Sequence, residues 1–246
     1  MTEEIRKTYR VVEKVTEAPS VSTIKLVIDD GVKKNIVPPF HPGQFINVYF
    51  PELGTPEGKA YSISSSPLEK TLNITVKAMG QFSNKLCALE KGDMITASLP
   101  YGYFYSESDE TSIVMIAGGI GIAPFRSMIF DAAARTPQRK LRLFCSYRAA
   151  ADIIFRKELD ALSAAAPCDF KVFYFVTREE CRDPAVISGR MSVNDIIGNA
   201  KKGRKNIAGR EFFMCGSIQF VGSFWKALRK QGVLEEMMCT ESFFSH

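Results

Sequence analysis

Two patterns of apolar residues divide the chain. From Tyr9 to about Phe104, apolar and polar residues alternate or gather in short β-branched runs, as in Thr23-Ile24-Lys25-Leu26-Val27-Ile28, Gln44-Phe45-Ile46-Asn47-Val48-Tyr49 and Leu72-Asn73-Ile74-Thr75-Val76-Lys77. Successive side chains of a strand point to opposite faces, so this period predicts antiparallel strands. Pro38-Pro39, Pro42-Gly43, Pro51, Gly54, Pro56, Gly58 and Gly92-Asp93 punctuate them at a spacing that predicts a small β barrel. Only Ser83 to Leu89 reads as a helix in this half.

Past the polar stretch Ser106-Glu107-Ser108-Asp109-Glu110 the pattern becomes strand, loop and amphipathic helix in repetition. Ile113 to Ala117 reads as a buried strand, and Phe125, Met128, Ile129, Ala132 and Ala133 as the apolar face of the helix behind it. Leu141 to Cys145, Phe170 to Phe175 and Glu211 to Met214 supply further strands, with helices near Ile153 to Ala164 and Phe220 to Lys230. Alternating strands and helices predict a parallel sheet with right-handed crossovers. The expected domains are therefore residues 1–107, the barrel, and 108–246, an α/β domain.

Composition narrows the chemistry. Among 246 residues, 46% are hydrophobic and 24% charged, an ordinary globular balance. The charged start, MTEEIRK, lacks an apolar stretch behind it, and Ile113 to Phe125 is too short and glycine-rich to span a bilayer, so a cytoplasmic protein without membrane insertion is expected. Six cysteines without any Cys-x-x-Cys pair, and only His41 and His246, exclude the common zinc and iron–sulphur ligand patterns; no metal is expected. The run Lys201-Lys202-Gly203-Arg204-Lys205 lacks interleaved aromatics and reads as a solvated loop, not a nucleic-acid surface. The net charge of +5 favours phosphate-bearing ligands or an acidic protein partner.

Between the first α/β strand and its helix runs Gly118-Gly119-Ile120-Gly121-Ile122-Ala123-Pro124. Glycines let a pyrophosphate approach the backbone, a helix start offers unpaired N–H groups, and Pro suits the first helical turn. Such a string also fits a tight turn that binds nothing. The acid that usually follows the second strand of a dinucleotide fold is missing; Ser146-Tyr147-Arg148 and Val176-Thr177-Arg178 end the second and third strands instead. Thr177, Arg148 and Arg178 would suit a 2′-phosphate, and surface arginines at strand ends are the alternative.

The order of motifs resembles the ferredoxin–NADP(+) reductase family along nearly the whole chain: Pro42-Gly43-Gln44-Phe45, Lys59-Ala60-Tyr61-Ser62, Gly80-Gln81-Phe82-Ser83, Pro100-Tyr101-Gly102-Tyr103-Phe104, the glycine loop, Cys215-Gly216-Ser217 and Glu241-Ser242-Phe243. The resemblance implies a six-stranded antiparallel FAD-binding barrel followed by an NAD(P)-binding α/β domain, with flavin lying across the cleft between them. It places Tyr61 on the isoalloxazine ring and Ser62 near flavin N5. Gly80, Ser83 and Lys59 would hold the FAD pyrophosphate, with Val76, Lys77 and Phe82 lining the same site. Gly118, Gly119, Gly121, Pro124 and Gly216 would hold the pyridine nucleotide. Cys215 would face the nicotinamide, Glu241 would tune the transfer or relay a proton, and Phe243 or Phe244 would cover the flavin. Ser62, Cys215 and Glu241 are thus the expected catalytic residues.

The departures from the family pattern matter too. Lys59 stands where the family's motif begins with Arg, which leaves FMN as an alternative to FAD. Ile120 stands where many relatives have Thr, and the one-electron carrier is expected to be another molecule. The expected activity is transfer of hydride from NADPH or NADH to FAD, and of single electrons to a separate acidic carrier such as ferredoxin, flavodoxin or another iron–sulphur protein. The alternatives are an NADH-dependent reductase component of a multicomponent oxygenase and a non-catalytic electron-transfer subunit.

Overall fold

The computed structural model describes residues 5–32, 34–165, 169–200 and 209–243. Phe244, the Lys201–Lys205 run, Cys168 and His246 lie outside them. The chain divides into two compact units, Met1–Tyr105 with Arg126–Asp131, and Ser106–Phe125 with Ala132–His246.

The first unit is an antiparallel barrel. Its strands are β1 (Arg6–Ala18), β2 (Val21–Asp29), β3 (Lys34–Ile36), β4 (Phe45–Phe50), β5 (Thr55–Ser62), β6 (Leu72–Lys77) and β7 (Met94–Ser98), with one helix, α1 (Gln81–Ala88). Neighbours run β3-β2-β1-β7-β4-β5, and β6 pairs with the free side of β2. An Ile63–Ile74 bridge then joins the end of β5 to β6, so β1, β2, β6, β5, β4 and β7 form the expected six-stranded ring, with β3 as a short extension of β2. Alternation explains the interior: Ile24, Leu26 and Ile28 from β2, Leu72, Ile74 and Val76 from β6, and Ile46 and Val48 from β4 are all buried together. Each such aliphatic side chain contributes about 1.5–3 kcal/mol by leaving water. The helix begins at Gln81 rather than Ser83: Gly80 is its N-cap, and Ser83, in the third helical position, accepts from the Gly80 N–H and so closes the first turn.

The second unit is a parallel sheet ordered β11-β10-β9-β8-β12-β13, built from β8 (Ser112–Gly118), β9 (Leu141–Tyr147), β10 (Phe170–Val176), β11 (Val186–Ser188), β12 (Arg210–Ser217) and β13 (Met238–Phe243). Its helices are α3 (Arg156–Ala164), α4 (Val193–Ala200) and α5 (Ile218–Lys230), together with the two ends of α2 (Ala123–Arg135), whose middle, Arg126–Asp131, belongs to the first unit. The order reverses at β8, which has β9 on one side and β12 on the other; the carboxyl ends of strands at such a switch point are where open α/β sheets bind ligands. The expected helix from Ile153 starts only at Arg156. Ile153, Ile154 and Phe155 are buried in a non-helical link, where Phe155 takes φ +60°. The tail around Glu241 is a sixth parallel strand, paired to β12.

Arg139 fixes the start of β8. Its buried guanidinium donates to the Thr111 carbonyl and to Ser106 Oγ, both at 2.7 Å, and lies 3.8 Å from the Glu211 carboxylate of β12. Among the described residues no helix is long and apolar enough to cross a membrane.

Candidate active site

In the barrel, the period of β5 turns Lys59 and Tyr61 to one face and Ser62 to the other. Lys59 Nζ stands 5.4 Å from the centre of the Phe82 ring, and Tyr61 stacks on the same ring at 6.2 Å and 21°. Phe82 itself is buried against Phe50, with ring centres 4.9 Å apart. Phe82 therefore acts as the support of Tyr61 and Lys59. Burial pushes the Tyr61 phenol far above its ordinary value, with a smaller contribution from Cys87, so the ring stays neutral. Val76 is likewise in the core and has only backbone to offer a ligand, while Lys77, the next residue, is partly exposed.

Gly80 precedes α1 in extended backbone, φ −159°, and a Cβ there would meet no protein atom within 4 Å. Neither backbone conformation nor packing calls for glycine at this position. What it leaves is room beside a helix start, whose first N–H groups have no acceptor within the helix. The Ser83 hydroxyl accepts from the N–H groups of Met79 and Gly80, at 2.9 and 3.0 Å, and donates to the Gly80 carbonyl at 3.1 Å. Its bonds thus shape the turn, and the anion-binding capacity rests with the backbone and Lys59.

Ser62 pairs with Phe45 across β5 and β4, and the Ile63 N–H donates to the Gln44 carbonyl at 2.9 Å. Phe45 and Tyr101 exchange two backbone bonds at 3.0 Å each, and Gln44 Nε2 donates to the Gly102 carbonyl at 3.1 Å. The Pro42-Gly43-Gln44-Phe45 and Pro100 to Phe104 motifs are therefore bonded partners that brace Ser62. Beyond Ser62, Arg126 Nη1 donates to the Ser64 carbonyl at 2.7 Å and to Glu69 Oε1 at 2.8 Å, while the Ser66 N–H donates to the same Glu69 oxygen at 2.9 Å.

In the α/β unit, the glycine loop forms a single 3-10 turn, Gly119–Ile122, running into α2, with Pro124 in the helix's first turn. The four glycines here do different things. Gly119 takes φ +55° with open space around it. Gly118 and Gly216, at the ends of β8 and β12, both make room for Phe220, whose ring would stand 2.9 and 2.8 Å from their added Cβ atoms. Gly121 fits against the backbone of Cys215 and Gly216. Three of the four are thus explained by the protein's own packing, which locks the two loops of the switch point into one floor.

Cys215 pairs in register with Glu241, and its thiol donates to Glu241 Oε2 at 4.0 Å. In a parallel pair both side chains leave the sheet on the same face, so the contact follows from β13 joining β12. Burial and the neighbouring carboxylate raise the thiol well above its ordinary range; Cys215 is a neutral donor, not a thiolate. Phe243 ends the described part of β13 opposite Ser217.

At the neighbouring strand ends, Arg148 and Arg178 are both exposed, and the Arg178 N–H donates to the Arg148 carbonyl at 3.0 Å. Thr177 donates through both N–H and hydroxyl to the Tyr147 carbonyl, at 3.1 and 3.2 Å. An acid does follow the second strand: Asp152, which accepts from the Ala149 N–H at 3.2 Å and is used to cap its own turn. Sequence reasoning missed Phe220, Arg126 and Arg139, for which the available signal was only an aromatic or arginine at a position ordinary helix patterns tolerate.

The first unit is a closed antiparallel barrel, and the second is a parallel sheet with a glycine loop at its switch point, the arrangement of a nucleotide-binding α/β unit. Residues 115–225 match the family model described as oxidoreductase NAD-binding domain. The flavohemoprotein of Bordetella pertussis is 27% identical over 251 residues, covering 96% of this chain and 60% of its own, so this chain spans less than two thirds of that relative. Two solved structures share the fold. The flavohem-like FAD/NAD binding domain of nitric oxide dioxygenase from Vibrio cholerae superposes with TM-score 0.81 at 23% identity, covering 97% of this chain and 99% of that one. A ferredoxin NADP+ reductase from Neisseria gonorrhoeae with bound FAD and NADP gives 0.79 at 22%, covering 98% and 100%. Residues 115–225 thus carry an oxidoreductase NAD-binding domain, and the chain shares the fold of these reductase structures.

Proposed function

We propose that this protein is an FAD-dependent NAD(P)H oxidoreductase that delivers electrons singly to a separate acidic carrier such as ferredoxin or flavodoxin. The observation that carries the reading is the Cys215 thiol held 4.0 Å from the Glu241 carboxylate at the switch point of the nucleotide-binding sheet. Bound FAD would supply the conversion between a two-electron hydride donor and one-electron acceptors.

The residues present fit both ligands. Lys59 and the open helix start at Gly80 would hold a pyrophosphate, Tyr61 on its Phe82 support would pack against the isoalloxazine ring, and Ser62 would hydrogen-bond its reacting edge. Gly119, with its free space, and the start of α2 would receive the nucleotide pyrophosphate. Cys215, as a neutral thiol, fits beside an uncharged dihydronicotinamide, and the Glu241 carboxylate would favour the positive charge that the ring gains as hydride leaves. Arg148 and Arg178 support NADPH over NADH through the 2′-phosphate. The net charge of +5 suits an acidic protein acceptor.

Purified protein is expected to be yellow and to bleach anaerobically with NADPH, and less efficiently with NADH. The reduced protein, mixed in a stopped-flow instrument with ferredoxin, flavodoxin and free flavin, should react fastest with one of the proteins. A colourless preparation that binds nucleotide without redox change overturns the proposal.

A further inference from the structure

No residue from Thr177 through Ala185 is buried, so apolar packing does not fix the loop that carries Arg178. Polar tethers do. At its start, Thr177 and Arg178 bond the carbonyls of Tyr147 and Arg148, and Glu179 Oε1 accepts from the Ala150 N–H at 2.6 Å. At its end, Asp183 is held three ways. Its Oδ1 accepts from the Ala185 N–H at 2.9 Å, its carbonyl from the Val186 N–H at 3.0 Å, and its Oδ2 pairs with Arg156 Nη2.

Arg156 is a firm anchor. It opens α3 directly after the buried run Ile153-Ile154-Phe155, and the left-handed backbone of Phe155 is a conformation that bulky residues adopt only when their surroundings impose it. Its Nε lies 3.3 Å from Asp160 Oδ2, whose other oxygen accepts from the buried Tyr174 hydroxyl at 2.9 Å. The guanidinium also sits over the Tyr174 ring, 5.6 Å from its centre. Through Asp160 and Tyr174 the arginine is tied to β10, and through Asp183 the far end of the loop is tied to the arginine.

We propose that Arg156 and Asp183, together with Glu179, are positioning residues that set Arg178 beside Arg148 and so determine affinity for a nucleotide 2′-phosphate. This inference rests on reading Arg148 and Arg178 as phosphate ligands. Three acids lie within five positions of Arg178; Glu179 is engaged by a backbone N–H and Asp183 by Arg156, while Glu180 is exposed. None of the three tether residues needs to touch the nucleotide.

Isothermal titration with 2′-phospho-AMP and with 5′-AMP separates the possibilities, using wild type, Asp183→Asn, Arg156→Met, Arg156→Lys and the Arg148→Ala/Arg178→Ala double variant. Wild type should prefer 2′-phospho-AMP. Asp183→Asn and Arg156→Met should each lose about fivefold of that preference, the upper end for a partly exposed ion pair, with AMP affinity and melting temperature near wild type, and Arg156→Lys should fall between. An unchanged preference in both variants, with the preference lost in the double variant, overturns the tether and leaves the arginine reading standing. Equal loss for both ligands also overturns it, because that marks a loosened unit and not a misplaced arginine. Absence of any preference in wild type overturns the arginine reading and the tether with it.

Discussion

Gly121 lies against Cys215 so closely that a Cβ on Gly121 would stand 2.3 Å from the Cys215 carbonyl oxygen and 2.5 Å from its carbon. Real Cβ atoms do not approach backbone so nearly, and the Cys215 backbone cannot retreat without breaking the ladder of β12 with β8. Gly121→Ala should therefore destabilise the α/β unit by about 2 kcal/mol or more and abolish nucleotide binding, measured by thermal melting and by nucleotide titration. Gly80→Ala is the contrasting case. Its Cβ meets no protein atom, so the melting temperature of the flavin-free protein should hold while flavin content after purification drops. Full flavin retention in Gly80→Ala would remove Gly80 from the cofactor site.

Glu241→Gln keeps the shape of the Cys215 partner and removes its charge. Flavin reduction by saturating NADPH is expected to slow by about a hundredfold, a usual size for loss of one positioned charged group, with little change in nucleotide affinity. Stopped-flow traces at several nucleotide concentrations separate the two quantities. An unaltered limiting rate would return Glu241 to a structural role.

Arg139→Met exchanges a guanidinium that makes two 2.7 Å bonds and faces Glu211 for an apolar chain of similar length. Breaking such a buried pair from one side strands the carboxylate, and a loss of about 3 kcal/mol is expected in urea unfolding. Adding Glu211→Gln to Arg139→Met should recover part of it, a coupling that a double-mutant cycle reads directly.

Asp183 gives a pH dependence. The Ala185 N–H and Arg156 hold its carboxyl below the ordinary aspartate value. A carboxyl with a lowered folded pKa contributes stability that is complete above its unfolded pKa and is lost as pH falls through the folded one. The melting temperature of wild type should thus decline more steeply on acidification than that of Asp183→Asn, and high salt should narrow the gap, since the pair is partly exposed. Parallel acid limbs at low salt would contradict this.

Much of this architecture was legible because periodicity reports burial. The alternation in Thr23 to Ile28 and the apolar block Ile113 to Ala117 each describe one strand's own faces, and β2 and β8 appear where those patterns lie. Contacts decided by distant pairing were less legible. The parallel register that sets Glu241 beside Cys215 was not legible, since nothing local in Cys239 to Phe243 marks a parallel strand. The start of α3 was misplaced because Ile153, Ile154 and Phe155 carry a helix-compatible apolar pattern while the fold spends them on a buried link. The glycines of the loop were read as room for phosphate, yet Gly118 and Gly121 first make room for Phe220 and Cys215, residues far along the chain.

The position of β12 sets an order of events during folding. Strands β8 to β11 can associate through successive neighbouring crossovers, but β12 must return from the far edge to pair Arg210 with Ser112, closing a long loop before its contacts compensate the lost entropy. In pulse-labelled hydrogen exchange the amides of β8 and β9 should gain protection before those of β12. A chain caught in between would hold the glycine loop without the strand against which Gly121 fits.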